Sequence, residues 1–245
     1  MRKFVIPALC FILLTACTAG SHVPPYANRP YEPFARQTVV AIALREWRAF
    51  GSAVDPAETP DKPERAEGLW QRVGDYWWQG LNPTDPETPW TGKHDGHGHR
   101  FPPEDDGDFA WSAAFVSYVM RMAGAGSGFP YSANHHTYIT AALRHDPGLI
   151  VAAERPESYA PQPGDSICAV RAENAGVRFD TAVRIGAFKA HCDIVVSTGG
   201  PDGLEAIGGN VEDTVALRHF PVTADGRLQD ADTFLAVLRL LLPPG

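Results

Sequence analysis

The spacing of apolar residues along the first 150 positions predicts a series of helices. Apolar side chains recur every three to four residues, the period of an amphipathic helix, in four stretches: 35–50, 67–81, 108–124 and 131–144. The stretch 108–124 is apolar nearly all round, which is typical of a helix buried inside a domain. We therefore expect a buried central helix with extra helices N-terminal to it.

After Gly164 the pattern changes to short runs separated by turn residues. These runs predict strands, over 165–170, 191–198, 204–207 and 215–220. Helical spacing returns over 232–242 and ends at Pro243 and Pro244, so we expect a final helix there. Helices followed by strands predict an α+β domain in which the central helix packs on a small antiparallel sheet.

Ser112 is a hydroxyl near the start of the predicted central helix. Asp108 is the expected N-cap of this helix, and Gly124 its expected end. Side chains in a first turn lie beside unpaired backbone N–H groups and the positive end of the helix dipole. Negative charge developing on a nucleophile is stabilised there, which makes Ser112 a candidate nucleophile.

The N-terminus has the pattern of a lipoprotein signal. Arg2 and Lys3 precede an apolar run over 4–14, and small residues then lead to Cys17. An ordinary signal peptide or a short membrane anchor is the alternative, although a transmembrane helix needs about 20 apolar residues. Similar signals are cleaved before the cysteine, which is then acylated. We therefore expect Cys17 to anchor the chain in a membrane.

This signal sets the expected domain organisation and location. Residues 1–17 are the signal peptide, and 18–34, rich in Pro, Gly and small residues, are a flexible tether. Residues 35–245 then form a single domain. In related lipoproteins an aspartate after the cysteine retains the protein at the inner membrane. Thr18 stands there in this chain, which favours the outer membrane and a domain that faces the periplasm.

The net charge and the cysteine content indicate which binding partners and which cross-link to expect. The formal net charge is −8 and the arginines are scattered, which argues against a nucleic-acid surface. We expect no cofactor. Cys168 and Cys192 remain after the signal is removed. In an oxidising envelope they either pair as a disulfide or stay small buried apolar residues, and the sequence leaves both open.

The run 93–100 contains His94, Asp95, His97 and His99 between glycines. Imidazole and carboxylate groups are zinc ligands, but this spacing matches no helical or zinc-finger pattern. A metal-dependent hydrolase is therefore the weaker alternative. We favour a loop over the cleft in which His94 and Asp95 contact substrate, with no metal.

The sequence around Trp111 and Ser112 resembles the nucleophile helix of the papain-like CHAP and NlpC/P60 cell-wall amidases, in which a tryptophan and a cysteine begin an Ala-rich helix. Serine replaces the cysteine here. Over about 70–220 the chain more closely resembles a bacterial family known as domain of unknown function 2272, which shares this helix with serine. The resemblance implies a papain-like fold. We also expect Trp111 to contact substrate.

The same resemblance suggests partners for Ser112. Pro163-Gly164-Asp165 resembles the turn before the strand that opens with the catalytic histidine, which implies His191 as the base. The segment 207–210, Ile-Gly-Gly-Asn, resembles the element that steadies the imidazole, which implies Asn210. Asp193 shares the strand face of His191 and is the alternative orienting group.

Two further histidines, His135 and His136, open the helix predicted over 131–144. One of them is expected to face the cleft and contact substrate, and the sequence does not distinguish them.

These residues support two functions. In the first, the protein is a lipid-anchored amidase or endopeptidase that acts on peptidoglycan or a related envelope component. Because serine does not ionise as a thiol does, Ser112 must lose its proton to neutral His191 during attack, and an oxyanion hole is needed. In the second, the protein is a non-catalytic module that binds peptidoglycan or another envelope component on the same fold.

Overall fold

The computed structural model describes residues 34–57 and 61–242. The expected signal peptide, the lipidation site Cys17 and nearly all of the expected tether lie outside the described residues. Within the described ranges, no helix has both the length and the apolar character needed to cross a membrane.

Five α-helices occur in the described residues, and the first four lie within the four stretches of helical spacing. Their bounds are α1 (Arg36–Ala49), α2 (Leu69–Gly80), α3 (Ser112–Met122), α4 (His135–Leu143) and α5 (Ala182–Ile185). The N-cap expected for α3 was wrong: Asp108 lies in a preceding 3₁₀ helix, and Trp111 is the N-cap. The expected end is correct, because Gly124 follows α3 with φ +91°, a conformation that glycine adopts without strain.

Seven strands form one sheet in the described part of the chain. They are β1 (Ala53–Val54), β2 (Val151–Glu154), β3 (Ser166–Val170), β4 (Ala190–Gly200), β5 (Gly203–Val211), β6 (Thr214–Phe220) and β7 (Ala236–Leu240). The order is β1-β6-β5-β4-β3-β7-β2. Only the β1–β6 pair is parallel among these described strands. The architecture is therefore α+β, but its sheet is larger than expected and mixed.

The final helix expected over 232–242 was wrong, because these residues form a 3₁₀ turn and then β7. β7 lies between β3 and β2 and is hydrogen-bonded on both sides. Its Ala236, Val237 and Leu238 are all buried. A strand covered on both faces loses the alternation of apolar and polar residues, and such a short apolar run then resembles a buried helix in sequence.

α3 is the central element, as its apolar pattern predicts. Its residues 112–120 are all buried, and it packs against α2 on one side and against β4 and β5 on the other. Glycines permit these close approaches: a Cβ on Gly80 would lie 2.8 Å from the backbone oxygen of Ala114, and one on Gly209 would lie 2.5 Å from Phe115. The start of α3 is thereby held against the end of β5.

A buried ion pair joins α1 to the strand end that follows Gly164. Arg36 donates to Asp165 Oδ1 over 2.6 Å, and Tyr159 donates to Asp165 Oδ2 over 2.9 Å. The backbone N–H of Leu240 also donates to Asp165 Oδ1 over 2.9 Å. Asp165 is fully buried, and these three donors satisfy a charge that would otherwise be costly to bury. The ion pair therefore fixes the position of α1 relative to the start of β3.

Candidate functional site

Ser112 and His135 form the hydrogen-bonded pair at the centre of the site. Ser112 is the first residue of α3, His135 is the first residue of α4, and Ser112 Oγ lies 2.6 Å from His135 Nε2. The two helix starts are held together by Ser117, whose hydroxyl donates to the backbone oxygen of Ser132 over 3.0 Å and accepts from its N–H over 3.1 Å. A nucleophile and a base are therefore in contact.

Tyr138 is the partner of the other ring nitrogen. It lies one helical turn after His135, so both side chains share a face of α4, and its hydroxyl is hydrogen-bonded to His135 Nδ1. Tyr138 is 0% exposed, and no other partner of its hydroxyl occurs among the described residues. The chain Tyr138–His135–Ser112 thus fixes the position of the imidazole from both sides.

Burial, and after it the proximity of His191, lowers the pKa of His135 well below the ordinary histidine value. The charged imidazolium is disfavoured because the ring is removed from water. His135 is therefore neutral at physiological pH, and its single ring proton is on either Nδ1 or Nε2. The same burial makes it a weaker base than an exposed histidine.

The assignment of His191 as the base of Ser112 is not supported by the geometry. His191 lies at the start of β4 as expected, but its Nε2 is 3.2 Å from Asp193 Oδ1, and within the described chain it has no hydrogen bond to Ser112. Residues two apart on a strand share a face, which explains why Asp193 engages the ring. The rings of His191 and His135 are 5.6 Å apart, centre to centre, so His191 packs beside the base.

Asp193 is held in a buried charge network. It accepts hydrogen bonds from His191 and from Arg218 of β6. Burial alone would raise the pKa of Asp193, but His191 and Arg218 outweigh it and lower the pKa to about 2. Asp193 is therefore ionised at physiological pH. It orients His191, as the sequence suggested, although His191 is not the residue that contacts Ser112.

The two glycines before Asn210 are required by this packing. A Cβ on Gly208 would lie 2.1 Å from Asp193 Oδ1 and 2.9 Å from His191 Nε2. A Cβ on Gly209 would meet Phe115 at 2.5 Å. No side chain fits at either position without displacing the site.

Asn210 has no hydrogen bond to an imidazole among the described residues, so its expected role in steadying the base is not supported by the geometry. Its Nδ2 donates to Glu64 Oε2 over 3.0 Å, and Trp111 Nε1 donates to the same oxygen. Trp111 is 1% exposed and is a core residue, which corrects its assignment as a substrate contact. The backbone of Asn210 is left-handed, with φ 57°, a conformation that asparagine tolerates better than most residues.

Glu64 belongs to a cluster of charges behind the cleft wall. Within the described ranges, Glu64, Asp106 and Asp213 are the one group of three or more side chains whose ligand atoms lie within 4.8 Å of one another. Cations of the chain already occupy this cluster: Lys62 Nζ lies 2.7 Å from Asp106 and 3.1 Å from Asp213, and Arg65 pairs with Asp106. The carboxylates are thus neutralised from within the chain.

Burial raises the pKa of Glu64 to about 8, and the charges of Asp213 and Asp106 contribute in the same direction against the hydrogen bond from Trp111. With Glu64 protonated, two carboxylates face Lys62 and Arg65, and the charges balance.

A cleft of about 640 Å³ opens above the Ser112–His135 pair. Its wall includes both of these residues together with Asn210, Arg171 and other side chains from the loops 87–113 and 171–190 and from the turn 210–213. The first backbone bond into α3 is from the N–H of Phe115 to Trp111. Within the described residues, the N–H groups of 112–114 have no acceptor, so donors are available beside Ser112 Oγ.

The histidine loop is held by internal hydrogen bonds, and among the described residues no three of its side chains bring ligand atoms within 4.8 Å of one another. Asp95 Oδ1 accepts the backbone N–H groups of His97 and His99 over 2.9 and 2.8 Å, and His94 Nδ1 lies 3.1 Å from the Thr91 hydroxyl. None of the four residues proposed for this loop is in the cleft wall. The loop is held by its own turn, and contact of His94 or Asp95 with a substrate in the cleft is not supported.

His136 also lies outside the cleft wall and packs beside Phe188, with ring centres 5.8 Å apart. Of the two neighbouring histidines, His135 is therefore the one at the cleft.

Cys168 and Cys192, whose pairing the sequence left open, form a disulfide. They face each other directly across β3 and β4, with Cα atoms 4.1 Å apart. Cys192 lies between His191 and Asp193 in the chain, and its side chain points to the opposite face of the strand. The disulfide therefore ties the strand that carries these two residues to its neighbour.

Sequence reasoning missed Tyr138 and Glu64. The spacing of three between His135 and Tyr138 was a usable signal, because it places the two side chains on one helix face. No local pattern marks Glu64, since its contacts are with residues 47 and 146 positions away.

The fold and site define an α+β domain with a Ser–His pair at the floor of a cleft, where a buried helix begins. The family described as an uncharacterized protein conserved in bacteria, DUF2272, matches residues 64–240. The chain belongs to this family. No curated protein and no solved structure matches it.

Proposed function

We propose that this protein is a serine-type hydrolase of amide bonds in which Ser112 attacks and His135 is the base. The observation that carries the proposal is the 2.6 Å contact between Ser112 Oγ and His135 Nε2 at the cleft floor. Hydrogen-bond contact between a nucleophile and a base is the first requirement for nucleophilic catalysis by serine.

The chemistry follows from the positions of these groups. Ser112 Oγ attacks the substrate carbonyl carbon while its proton passes to His135 Nε2, and His135 then returns the proton to the leaving amine. Water then attacks the carbonyl carbon of the acyl group while its proton passes to His135 Nε2. The bond to Ser112 Oγ breaks, and His135 returns the proton to that oxygen. The oxyanion of each tetrahedral intermediate is stabilised by the free N–H groups at the start of α3, among them those of Ser112 and Ala113.

The substrate class rests on the sequence. The lipoprotein signal ending at Cys17 and the resemblance to papain-like cell-wall amidases favour peptidoglycan peptides or another amide-bearing envelope component. We place the protein at the outer membrane facing the periplasm, anchored through acylated Cys17. The helix that carries the proposed nucleophile precedes the antiparallel strands in the chain, and this order supports a papain-like fold with serine in place of cysteine.

One observation favours the second function, a non-catalytic module that binds an envelope component in the same cleft. The hydroxyl of Tyr138 is fully buried beside His135 Nδ1, and its proton is best satisfied by donation to that nitrogen. His135 then carries its own proton on Nε2 and donates to Ser112, which leaves no free lone pair to accept the serine proton. Hydrolysis requires the other tautomer of His135.

Digestion of purified peptidoglycan by the full chain and by its Ser112→Ala and Ser112→Cys variants tests the proposal. Chromatography of the muropeptides is expected to show new products with the wild type and none with Ser112→Ala. Identical profiles for all three proteins would contradict the hydrolase and support the binding module. If only Ser112→Cys gives products, the natural Ser112 is not a working nucleophile and the protein is an enzyme that has lost its activity. A thiol could still react there because it needs less assistance from a weak base.

A further inference from the structure

Glu64 connects the two elements that form the site. Its Oε2 accepts hydrogen bonds from Trp111, the N-cap of α3, and from Asn210, near the end of β5. Glu64 is 2% exposed and lies behind the cleft wall, whereas Asn210 is part of that wall. One buried oxygen thus fixes the start of the nucleophile helix relative to a polar side chain at the cleft.

We propose that Glu64 is a positioning residue that holds the Asn210 amide at the cleft wall, where the amide binds a peptide group of the substrate. This inference rests on the proposed function only in taking the substrate to be an amide. It gives Asn210 a role in substrate binding and Glu64 a role through Asn210 and Trp111.

The free hydrogen-bonding groups of Asn210 suit a peptide group. An asparagine side chain has two N–H donors and one carbonyl acceptor. One N–H is used by Glu64, and the other N–H and the carbonyl oxygen have no partner among the described residues. A peptide unit offers one acceptor and one donor, so the remaining groups match it in number and kind.

The surroundings of Glu64 make this contact dependent on pH. The charged groups that face it are Asp213, Asp106 and Lys62, with Arg65 paired to Asp106. Glu64 has a pKa near 8, so it is mostly neutral at pH 7 and ionises above pH 8. Hydrogen bonds to an ionised carboxylate are stronger than those to a neutral one. Both donors should therefore report the ionisation of Glu64.

Nuclear magnetic resonance of the full chain tests the contact without any substrate. The indole N–H signal of Trp111 and the side-chain NH₂ signals of Asn210, identified from Trp111→Phe and Asn210→Ala variants, are expected to shift together with a midpoint near pH 8. Glu64→Gln, which keeps an acceptor oxygen, is expected to abolish both shifts. If the Asn210 signals are unaffected by pH or by Glu64→Gln, Glu64 does not hold the Asn210 amide and the proposal is overturned.

Trp70 and Glu67 provide a matched control. Trp70 Nε1 donates to Glu67 Oε2 over 3.0 Å, but this pair is exposed, and the hydrogen bonds from Lys93 and Trp70 lower the pKa of Glu67. The Trp70 indole signal is therefore expected to show no transition near pH 8, although the His94 ring, 4.6 Å away, shifts it at lower pH. A midpoint near pH 8 for Trp70 as well would show a general effect and overturn the assignment to Glu64.

The role in the cleft is tested by calorimetric binding of soluble muropeptides to chains that carry Ser112→Ala. Adding Glu64→Ala is expected to raise the Kd by about tenfold, the effect of losing roughly one hydrogen bond, whereas Glu64→Gln and Glu67→Gln are expected to change it less than about twofold. An unchanged Kd with Glu64→Ala overturns the role of Glu64 and leaves the hydrolase proposal intact. Absence of binding to every chain overturns both the muropeptide substrate and the role of Asn210.

Discussion

Replacement of Tyr138 by phenylalanine perturbs the protonation of His135 without changing any other described contact. The substitution removes one hydroxyl from a fully buried side chain, and that hydroxyl is hydrogen-bonded to His135 Nδ1. Within the described chain, the hydroxyl has no second acceptor to which it could turn. If the Tyr138 hydroxyl donates to Nδ1 of His135, the ring proton of His135 must therefore lie on Nε2.

The magnitude follows from counting unsatisfied groups in the two tautomers. With the His135 proton on Nε2, Tyr138 donates to Nδ1 and the Ser112 hydroxyl donates to solvent in the cleft, so every donor is satisfied. With the proton on Nδ1, the Tyr138 hydroxyl proton is buried without an acceptor, at a cost of about 1–3 kcal/mol. The Nε2 tautomer is thus expected to be favoured by about fivefold to 150-fold.

Phenylalanine removes this preference. Either tautomer then leaves one buried ring nitrogen without a partner, so the two are expected to approach equal populations. The lost hydrogen bond is also expected to lower the free energy of unfolding by about 1–3 kcal/mol.

Nitrogen-15 spectra of histidine-labelled protein report which ring nitrogen of His135 carries the proton, and urea unfolding gives the stability. Tyr131→Phe is the matched control, because the Tyr131 hydroxyl donates to the backbone of Gly126 over 2.8 Å and has no contact with His135. Tyr131→Phe should lower stability but leave the His135 spectrum unchanged. A wild-type proton on Nδ1, or tautomer populations that Tyr138→Phe does not alter, would refute the reasoning.

Two further predictions concern the network around Asp193. Gly208→Ala is expected to lower the free energy of unfolding by about 3 kcal/mol or more, because the added Cβ would lie 2.1 Å from Asp193 Oδ1. Thermal unfolding measures this loss. Gly107→Ala is the control, because its Cβ would meet nothing within 4 Å. The pKa of Asp193 in the folded chain, about 2 against an ordinary 3.8, contributes about 2 kcal/mol of stability that is fully present above pH 3.8 and is lost as the pH falls through 2. Urea unfolding of Asp193→Asn between pH 2 and 5 should therefore depend less on pH than unfolding of the wild type, and equal slopes would contradict the ion network.

The sequence predicted the elements whose patterns are long. α3 is apolar nearly all round over eleven residues, and no other structure accommodates such a pattern as well as a buried helix. The two-residue β1 and the four-residue β2 were not predicted, because such short runs carry no period. β7 was predicted as a helix because burial on both faces removes the alternation of a strand.

The site was predicted only in part, since its partners are set by tertiary contacts. Ser112 could be identified from its place at a helix start, but resemblance favoured His191, which opens a strand, over His135, which opens a helix. The alternation of a strand predicts that His191 and Asp193 lie on the same face, and the His191 ring is hydrogen-bonded to Asp193. Which histidine reaches Ser112 depends on how α4 packs against α3, and no local pattern encodes that packing.

The most direct test of the central claim is the rate at which a fluorophosphonate probe modifies Ser112, followed by intact mass spectrometry. This reaction needs a serine activated by its base but no knowledge of the substrate. The wild type is expected to be labelled at Ser112. The His135→Gln variant is expected to be labelled about 10²–10⁴-fold more slowly, which is the usual contribution of a general base. The His191→Gln variant is expected to be slowed by less than about tenfold. Slow labelling with His191→Gln and normal labelling with His135→Gln would contradict the pairing of Ser112 with His135, and an unlabelled wild type would contradict an activated serine.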